Sequence, residues 1–285
     1  MVLVNVLIPT FGRKTALAIV LTGLLGQTFR DFDVTISDQT DEDQRYVDSL
    51  EIQTLVDALR WHGHVVTIHH NFPRQGMAQQ RQFLLETATA PYVHYLDDDV
   101  ALEPLVMERM LGVLRAESCG FVGCPAVGLQ YLEDVRPHQQ GIELWDGPVV
   151  PEPFTPETIP WDRAPINNAA NPLHIERRLA PNGETLRYRI AWVGGANLLF
   201  DRGKLGAVGG FSWWPRLPAV HAGEEVVVQF LMLRYFGGCG VLPTGTYHIC
   251  LPTTIEDRTH NATELFGQLI DELDPVLARG AMRPD

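Results

Sequence analysis

The stretch Tyr92-Val93-His94-Tyr95-Leu96-Asp97-Asp98-Asp99 joins a short apolar run to three consecutive carboxylates. A run of four to eight apolar residues with aromatic and β-branched side chains predicts a buried strand. Ligands of open α/β sheets bind beyond the carboxyl ends of the strands, so the acidic triplet Asp97–Asp99 lies where a ligand is expected. Neighbouring carboxylates repel one another, and a divalent cation, Mg²⁺ or Mn²⁺, relieves that repulsion most simply. A solvated acidic loop is the alternative, and the triplet alone favours neither.

The first hundred residues alternate strand and helix patterns around this stretch. The predicted elements are a strand over Val2–Ile8 that ends at Pro9, a helix over Leu17–Leu25, a strand over Phe32–Ile36, a helix over Gln44–Trp61, a strand over Val65–His69, a helix over Gly76–Ala88 and the strand Tyr92–Leu96. This alternation predicts a parallel sheet with helices on both faces. The first strand runs into Pro9-Thr10-Phe11-Gly12-Arg13, which is neither a dinucleotide-binding fingerprint nor a Walker A loop.

Composition excludes several classes of protein. The formal net charge of -13, with 22 scattered basic residues, argues against a nucleic-acid-binding surface. No stretch approaches the roughly eighteen apolar residues of a membrane span, and the amino terminus lacks the basic region of a signal peptide. We therefore expect no membrane span and a cytoplasmic location, with peripheral membrane association left open. The four cysteines have no metal-site spacing and are expected to be reduced thiols.

The second half contains a long irregular segment and two candidate functional motifs. Residues from about 130 to 190 are rich in Pro, Asn and Trp, which predicts a partly ordered insertion that faces the substrate. Gly194-Gly195 would let the backbone approach a ligand closely, although a tight turn explains the glycines equally well. Glu224 and Glu225 precede the apolar helix Val226–Phe236. Acids in a first turn also complement the helix dipole, a role that needs no catalysis.

These features coincide, in order and spacing, with one family. The chain resembles the nucleotide-sugar glycosyltransferases of the GT-A fold, in particular glycosyltransferase family 2. The motifs that carry the resemblance are Pro9-Thr10-Phe11-Gly12-Arg13, Asp38, the set Asn71, Gly76 and Arg81, Leu96-Asp97-Asp98-Asp99, Gly194-Gly195-Ala196-Asn197, Val208-Gly209-Gly210-Phe211 and Gly223-Glu224-Glu225. The resemblance implies an α/β GT-A fold, a single Rossmann-like mixed sheet flanked by helices, with an irregular insertion on the acceptor side.

The same resemblance implies a division of the chain. Residues 1–104 are expected to form the nucleotide-sugar-binding half. Residues 105–250 are expected to form the acceptor-binding and catalytic half, with the insertion at about 130–190. Residues 251–285 are expected to form a C-terminal helical tail.

The residue roles implied by the resemblance concern the donor and a metal. Asp99, with Asp97 directly or through water, is expected to bind Mn²⁺ or Mg²⁺, and His248 is either a further ligand or an ordinary packed histidine. The residues expected to contact the nucleoside diphosphate sugar are Pro9, Thr10, Arg13, Asp38, Arg81, Asp98, Gly194 and Gly195. Trp192, Trp213 and Trp214 are candidates for stacking on sugars, although tryptophan is more often buried.

The acid pair resembles the family's Glu-Asp motif, which assigns the general base to Glu225, with Glu224 as the second candidate. The expected activity is metal-dependent, inverting transfer of a sugar to an acceptor hydroxyl. The alternatives are a nucleotidyltransferase and a catalytically inactive GT-A domain that only binds nucleotide. Departures from the family pattern at Gly12, Gln39, Gln82 and Leu231 leave the base and the sugar open. The acceptor and the oligomeric state are also left open.

Overall fold

The computed structural model describes residues 2–281, with side chains up to Ala278. The strands are β1 (Val4–Thr10), β2 (Phe32–Asp38), β3 (Val66–His70), β4 (Tyr92–Leu96), β5 (Val100–Leu102), β6 (Phe121–Gly123), β7 (Leu186–Tyr188), β8 (Asn197–Asp201), β9 (Gly238–Leu242) and β10 (Thr246–His248). The helices are α1 (Lys14–Leu25), α2 (Leu50–Trp61), α3 (Met77–Thr87), α4 (Val106–Glu117), α5 (Asn171–Leu179), α6 (Arg202–Ala207), α7 (Glu224–Phe236) and α8 (Phe266–Ala281). None of the helices within residues 2–281 combines the length and the apolar character needed to cross a membrane.

Eight strands form one mixed sheet in the order β3-β2-β1-β4-β8-β6-β9-β7. The first four in this order are mutually parallel, whereas β8 is antiparallel to both of its neighbours, β4 and β6. The remaining two strands, β5 and β10, form a separate antiparallel ribbon that begins directly after the acidic triplet. The sheet thus confirms the prediction of a single mixed sheet.

Helices cover both faces of the sheet, as the alternation of strand and helix predicts. Along β1, Val4, Val6 and Ile8 point into one core with α1, α2 and α4. Leu7 points into the opposite core, where α3, α6, α7 and α8 pack. Because side chains alternate across a strand, this apolar strand is buried on both faces.

Several predicted boundaries differ from those of the structure, and two of them have a clear physical reason. The strand β1 does not end at Pro9 but continues to Thr10; Pro9 lies beyond the residues of β1 that pair with β4, where a missing N–H is tolerated. The helix predicted over Gln44–Trp61 begins only at Leu50. Tyr46 and Val47, which share the apolar pattern, are instead buried in the core as part of an irregular connection.

The segment predicted as an irregular insertion is more ordered than its composition suggests. It contains α5, the edge strand β7 and a 3-10 helix over Trp161–Asn167. Strand β7 pairs with β9 and completes the sheet. Proline at the start of α5 and at the middle of the 3-10 helix obscures the periodicity that identifies helices in a sequence.

Candidate active site

The sheet brings four chain segments to one edge. In the parallel register Thr10 lies opposite Asp38, and β4 ends one residue before Asp97. Strand β8 begins at the same edge because it is antiparallel to β4, and the Asp97 N–H donates to the carbonyl of Ala196. A cavity of about 570 Å³ opens there.

Most of the residues selected from the sequence line this cavity. They are Pro9, Thr10, Arg13, Arg81, Asp97, Asp98, Asp99, Gly195, Glu224, Glu225 and His248. Two predicted donor residues, Asp38 and Gly194, do not line it. Asp38 is fully buried beneath it at the end of β2, where one carboxylate oxygen accepts from the Thr40 N–H at 2.9 Å and the other has no hydrogen-bond partner among the described residues. Its contact with the nucleoside diphosphate sugar stays a prediction.

Arginines neutralise the acidic triplet. Asp97 accepts a hydrogen bond from Arg81 at 3.0 Å. Asp98 accepts from Thr10 at 2.6 Å and from Arg13 at 3.3 Å, and the same Arg13 nitrogen contacts Asp99. The repulsion that suggests a cation from the sequence alone is therefore relieved here by two guanidinium groups. Nothing in the local sequence indicates which arginines pair with which carboxylates.

Loss of hydration still dominates the titration of two of these acids. Burial raises the pKa of Asp97 to about 6, against the opposing effect of Arg81. Burial likewise raises the pKa of Asp98 to about 7, although the bond from Thr10 and the charge of Arg13 act in the other direction. Both groups thus titrate near neutral pH, unlike exposed aspartates.

The donor set fits a divalent cation only in part. Among residues 2–278 no three His, Cys, Asp or Glu side chains converge as a metal site. Asp99 and Asp97 present the hard carboxylate oxygens that Mg²⁺ and Mn²⁺ prefer. A cation at Asp99 would need further oxygens from a substrate, and Arg13 would have to release this carboxylate.

The placement of His248 bears on its predicted role as a metal ligand. Pairing of β10 with β5 sets His248 opposite Val100, so its Nε2 lies 3.4 Å from an oxygen of Asp99. Its Nδ1 accepts the backbone N–H of Cys250 at 2.8 Å. A neutral ring that accepts at Nδ1 carries its proton on Nε2, and a protonated nitrogen cannot bind a metal. In this arrangement Nε2 of His248 lies beside Asp99, and ligation stays a prediction that requires the Cys250 bond to break.

The two acids at the start of α7 differ in their surroundings. Glu224 is buried and accepts from Arg81 at 3.2 Å, so one guanidinium joins it to Asp97. Glu225 has no ion-pair partner within the described side chains. Burial, followed by the nearby charge of Glu224, raises the pKa of Glu225 to about 7. A carboxylate with a pKa near neutral pH is suited to accept a proton there.

Gly195 determines how Glu225 fits. A Cβ added at Gly195 would lie 2.4 Å from Cγ of Glu225, closer than real Cβ contacts allow. A Cβ added at Gly194 would meet nothing within 4 Å. The paired glycines thus have different functions in the fold: Gly195 makes room for the Glu225 side chain, whereas Gly194 occupies open space.

Asn197, which ends the same motif, is buried and does not line the cavity. Its carbonyl oxygen lies 2.5 Å from Nε2 of His94, and its amide donates to Thr246 at 2.8 Å. Burial lowers the pKa of His94 to about 4, so the ring is neutral. This polar chain joins β4, β8 and β10 beneath the cavity, and it fixes the ribbon that bears His248.

Two groups of lining residues have no motif in the sequence. The first is a segment after β10, residues 251–263, which we term the strap. Seven of its residues line the cavity: Leu251, Thr253, Thr254, Ile255, Arg258, Asn261 and Thr263. The strap is anchored where Arg13 donates to the carbonyl of Pro252 at 2.6 Å and where Ala222 pairs with residues 260–262. The sequence of the strap shows only a weak periodicity of apolar residues, which is typical of an irregular segment. This pattern does not indicate which part of the protein the strap covers.

The second group is aromatic. Trp192 lines the cavity, as does Trp161 of the predicted insertion. Of the other stacking candidates, Trp213 is buried in the core and donates to the carbonyl of Gly210, and Trp214 packs against the same core. The insertion therefore contributes a single residue to the cavity wall.

Comparison with known proteins identifies the family. A model described as glycosyl transferase family 2 matches residues 5–175, more than half of the chain. The chain belongs to glycosyl transferase family 2. An uncharacterized glycosyltransferase of Haemophilus influenzae is 25% identical to this family 2 chain over 125 residues, which are 44% of this chain and 39% of that protein.

Solved structures of similar fold include TarS of S. aureus. TarS 1–349 in complex with UDP-GlcNAc superposes with a TM-score of 0.57 at 12% identity, covering 95% of this chain and 65% of that one. The UDP complex of TarS 1–349 gives 0.52 at 12% identity, covering 83% and 57%. The family 2 chain thus has the GT-A fold that the sequence predicts. It spans less than two thirds of the length of each of these relatives.

Proposed function

We propose that the chain transfers a sugar, with inversion and with the help of a divalent cation, from a nucleoside diphosphate sugar to an acceptor hydroxyl. The observation that carries the proposal is the placement of Glu225, a carboxylate without an ion-pair partner in the described structure, in one cavity with the acidic triplet. Binding of UDP-GlcNAc by TarS, which has the same fold, supports a nucleotide-sugar donor.

At the donor end, Asp98 is the candidate acceptor of hydrogen bonds from the ribose hydroxyls. Thr10 and Arg13 hold its carboxylate in place. Pro9 and Thr10 form the wall beside it, and Arg81 fixes Asp97 at the floor. Arg258 of the strap is a further cation on the cavity wall, with no ion pair among the described side chains, and is available to a diphosphate.

Asp99, together with Asp97, would hold the cation. When bound there, Mg²⁺ or Mn²⁺ supplies positive charge that stabilises a departing diphosphate as a Lewis acid. Because Arg13 contacts Asp99 in this structure, release of that contact would give the same guanidinium to the phosphates. Asp99 would then be paired with the cation in place of Arg13, so its negative charge would stay compensated.

At the acceptor end, Glu225 is the proposed base. The acceptor oxygen forms a bond to the anomeric carbon while the bond from that carbon to the diphosphate oxygen breaks, and the electron pair leaves with the diphosphate. The hydroxyl proton passes to Glu225. A group with a pKa near the working pH is suited to this transfer. Glu224, tied to Arg81, supports a positioning role instead.

Binding of nucleoside diphosphates in the presence and absence of Mn²⁺, measured by isothermal titration calorimetry, tests the donor site. We expect Mn²⁺ to strengthen binding to the natural chain and to have little effect on Asp99→Ala. Asp57→Ala, on the exposed side of α2, is the matched control. Natural affinity of Asp99→Ala in Mn²⁺ would overturn the metal assignment.

Slow hydrolysis of nucleotide sugars distinguishes an enzyme from an inactive domain. An active transferase passes some sugar to water and releases nucleoside diphosphate, whereas a domain that only binds nucleotide releases none. Release from one or more nucleotide sugars is the expected result. Its absence with every nucleotide sugar that binds would favour the inactive alternative.

A further inference from the structure

The tryptophans on the cavity wall point to the class of acceptor. Trp161 is 53% exposed, although its ring packs edge-on against Phe230 at a centroid distance of 5.9 Å and an interplanar angle of 81°. Trp192 is half-buried and lines the same cavity. An indole held in place on one side and open on the other presents a flat apolar surface to whatever enters.

Both tryptophan segments are held against the helix that bears the proposed base. Trp161 contacts α7 through Phe230. The residue after Trp192, Val193, exchanges two hydrogen bonds of 2.8 Å with the Gln229 side chain of the same helix. Asn167 then donates to the carbonyl of Trp192 at 2.9 Å, which joins the two tryptophan segments. Both cavity-lining tryptophans are therefore anchored to the helix that bears Glu225, which an acceptor hydroxyl would have to approach.

The charge of the cavity disfavours an anionic acceptor. Five carboxylates line it, against the three arginines Arg13, Arg81 and Arg258. The first two arginines are already paired with carboxylates. Arg258 is assigned to the diphosphate of the donor, so a phosphate or carboxylate on the acceptor would find no unassigned arginine among the described lining residues, whereas hydroxyl groups donate hydrogen bonds to carboxylates.

We propose, on the basis of the proposed function, that the acceptor is an uncharged carbohydrate whose ring stacks on Trp161 and Trp192. A sugar ring has an apolar C–H face, which can cover an indole. It also carries several hydroxyl groups at its edge. The face matches the tryptophans, and the hydroxyls match the carboxylates of Glu225 and its neighbours. A purely aryl or alkyl alcohol would cover the rings but bring only one hydroxyl donor to the carboxylates.

The test is acceptor-stimulated release of nucleoside diphosphate with a defined panel of probes. The carbohydrate probes are the methyl glycosides of glucose, galactose, mannose and N-acetylglucosamine. The rival probes are benzyl alcohol, octanol and glycerol 3-phosphate. We expect at least one glycoside to raise release well above hydrolysis, and the rivals to have no such effect.

Substitutions connect this activity to the tryptophans. In Trp161→Ala and Trp192→Ala the KM for the glycoside should rise by about tenfold, the loss expected for one aromatic contact, and by more than any change in the hydrolysis rate. Trp161→Phe, which keeps an aromatic ring, should have a glycoside KM close to that of the natural chain. Trp61→Ala, which removes a tryptophan that is 89% exposed at the end of α2 and does not line the cavity, is the control.

Each outcome has a distinct meaning. Stimulation by a rival probe but by no glycoside, or an unchanged glycoside KM in both alanine variants, would overturn the carbohydrate assignment while hydrolysis upholds the proposed function. Hydrolysis without stimulation by any probe would overturn the assignment as well. Absence of hydrolysis with every nucleotide sugar would overturn the proposed function, and this inference with it.

Discussion

At the acidic triplet every carboxylate contacts an arginine, whereas at the start of α7 one of the two carboxylates has no arginine partner among the described side chains. Arg13 contacts Asp98 and Asp99. Arg81 contacts Asp97 and also donates to Glu224. Glu225 is left with a pKa raised to about 7 by burial. A carboxylate that contacts a fixed guanidinium is held in position. Arginine contacts thus fix four of the five carboxylates in place, and Glu225 is the one without such a contact among the described side chains.

The largest expected effect comes from removing that proton acceptor. Glu225→Gln preserves size but not basicity, so kcat should fall by roughly 10²- to 10⁴-fold with donor affinity little changed. Thermal stability should stay the same or rise, because burial disfavours the charged carboxylate. Steady-state kinetics with a stimulating acceptor and a melting curve measure both. Near-natural turnover would remove Glu225 from the role of base.

A second prediction separates the paired glycines. Gly195→Ala forces a Cβ against Glu225, and displacement of a catalytic group by about 1 Å can cost on the order of 10²-fold in rate. Gly194→Ala is the matched control, since its added Cβ meets nothing within 4 Å. We expect a large loss of kcat in the first variant and a small one in the second. Equal losses would show that the Gly195–Glu225 contact does not set the position of the base.

The third prediction concerns pH. Glu225 accepts a proton only when it is ionised, so kcat at saturating substrates should fall about tenfold for each pH unit below its pKa of about 7. The side-chain amide of the Glu225→Gln variant does not titrate, so the residual activity of that variant should lose this acidic limb. The profile of kcat is the relevant measurement because Asp97 and Asp98, with raised pKa values, also affect donor binding in this range. If the acidic limb persists in the Glu225→Gln variant, it arises from the titration of another group.

The smallest effect on catalysis is expected from substitution of Glu224. The same substitution should clearly lower the free energy of unfolding. Glu224→Gln breaks one of the two ion pairs of a buried guanidinium, and loss of one partner of a buried pair costs about 3 kcal/mol of unfolding free energy. Turnover should fall less than in Glu225→Gln. Denaturant unfolding of the two variants side by side checks this. A larger kinetic loss at Glu224 would exchange the roles of the two acids.

The sequence predicts well which residues lie at the carboxyl ends of the parallel strands. It predicts poorly which side chains contact one another there. The strand Tyr92–Leu96, the triplet after it and the acids at the start of α7 follow from local patterns of apolar and charged residues, which is why most selected residues line one cavity. The pairing of Arg81 with both Asp97 and Glu224 joins residues far apart in the chain, and no local pattern encodes it. Trp161 and the strap are missed for the same reason. Their importance lies in what they cover, which depends on tertiary structure.

The pairing of β5 with β10 has a consequence for how the protein matures. Val100 follows the triplet directly, but its partner His248 is made much later in synthesis, and the strap follows later still. A growing chain that has reached residue 104 already contains the triplet with Arg13 and Arg81, yet neither the base nor the cover of the cavity. Pairings between distant segments form slowly because the intervening chain must first be ordered. The acidic triplet therefore has neither its ribbon partner nor its strap until residues 246–263 have been made.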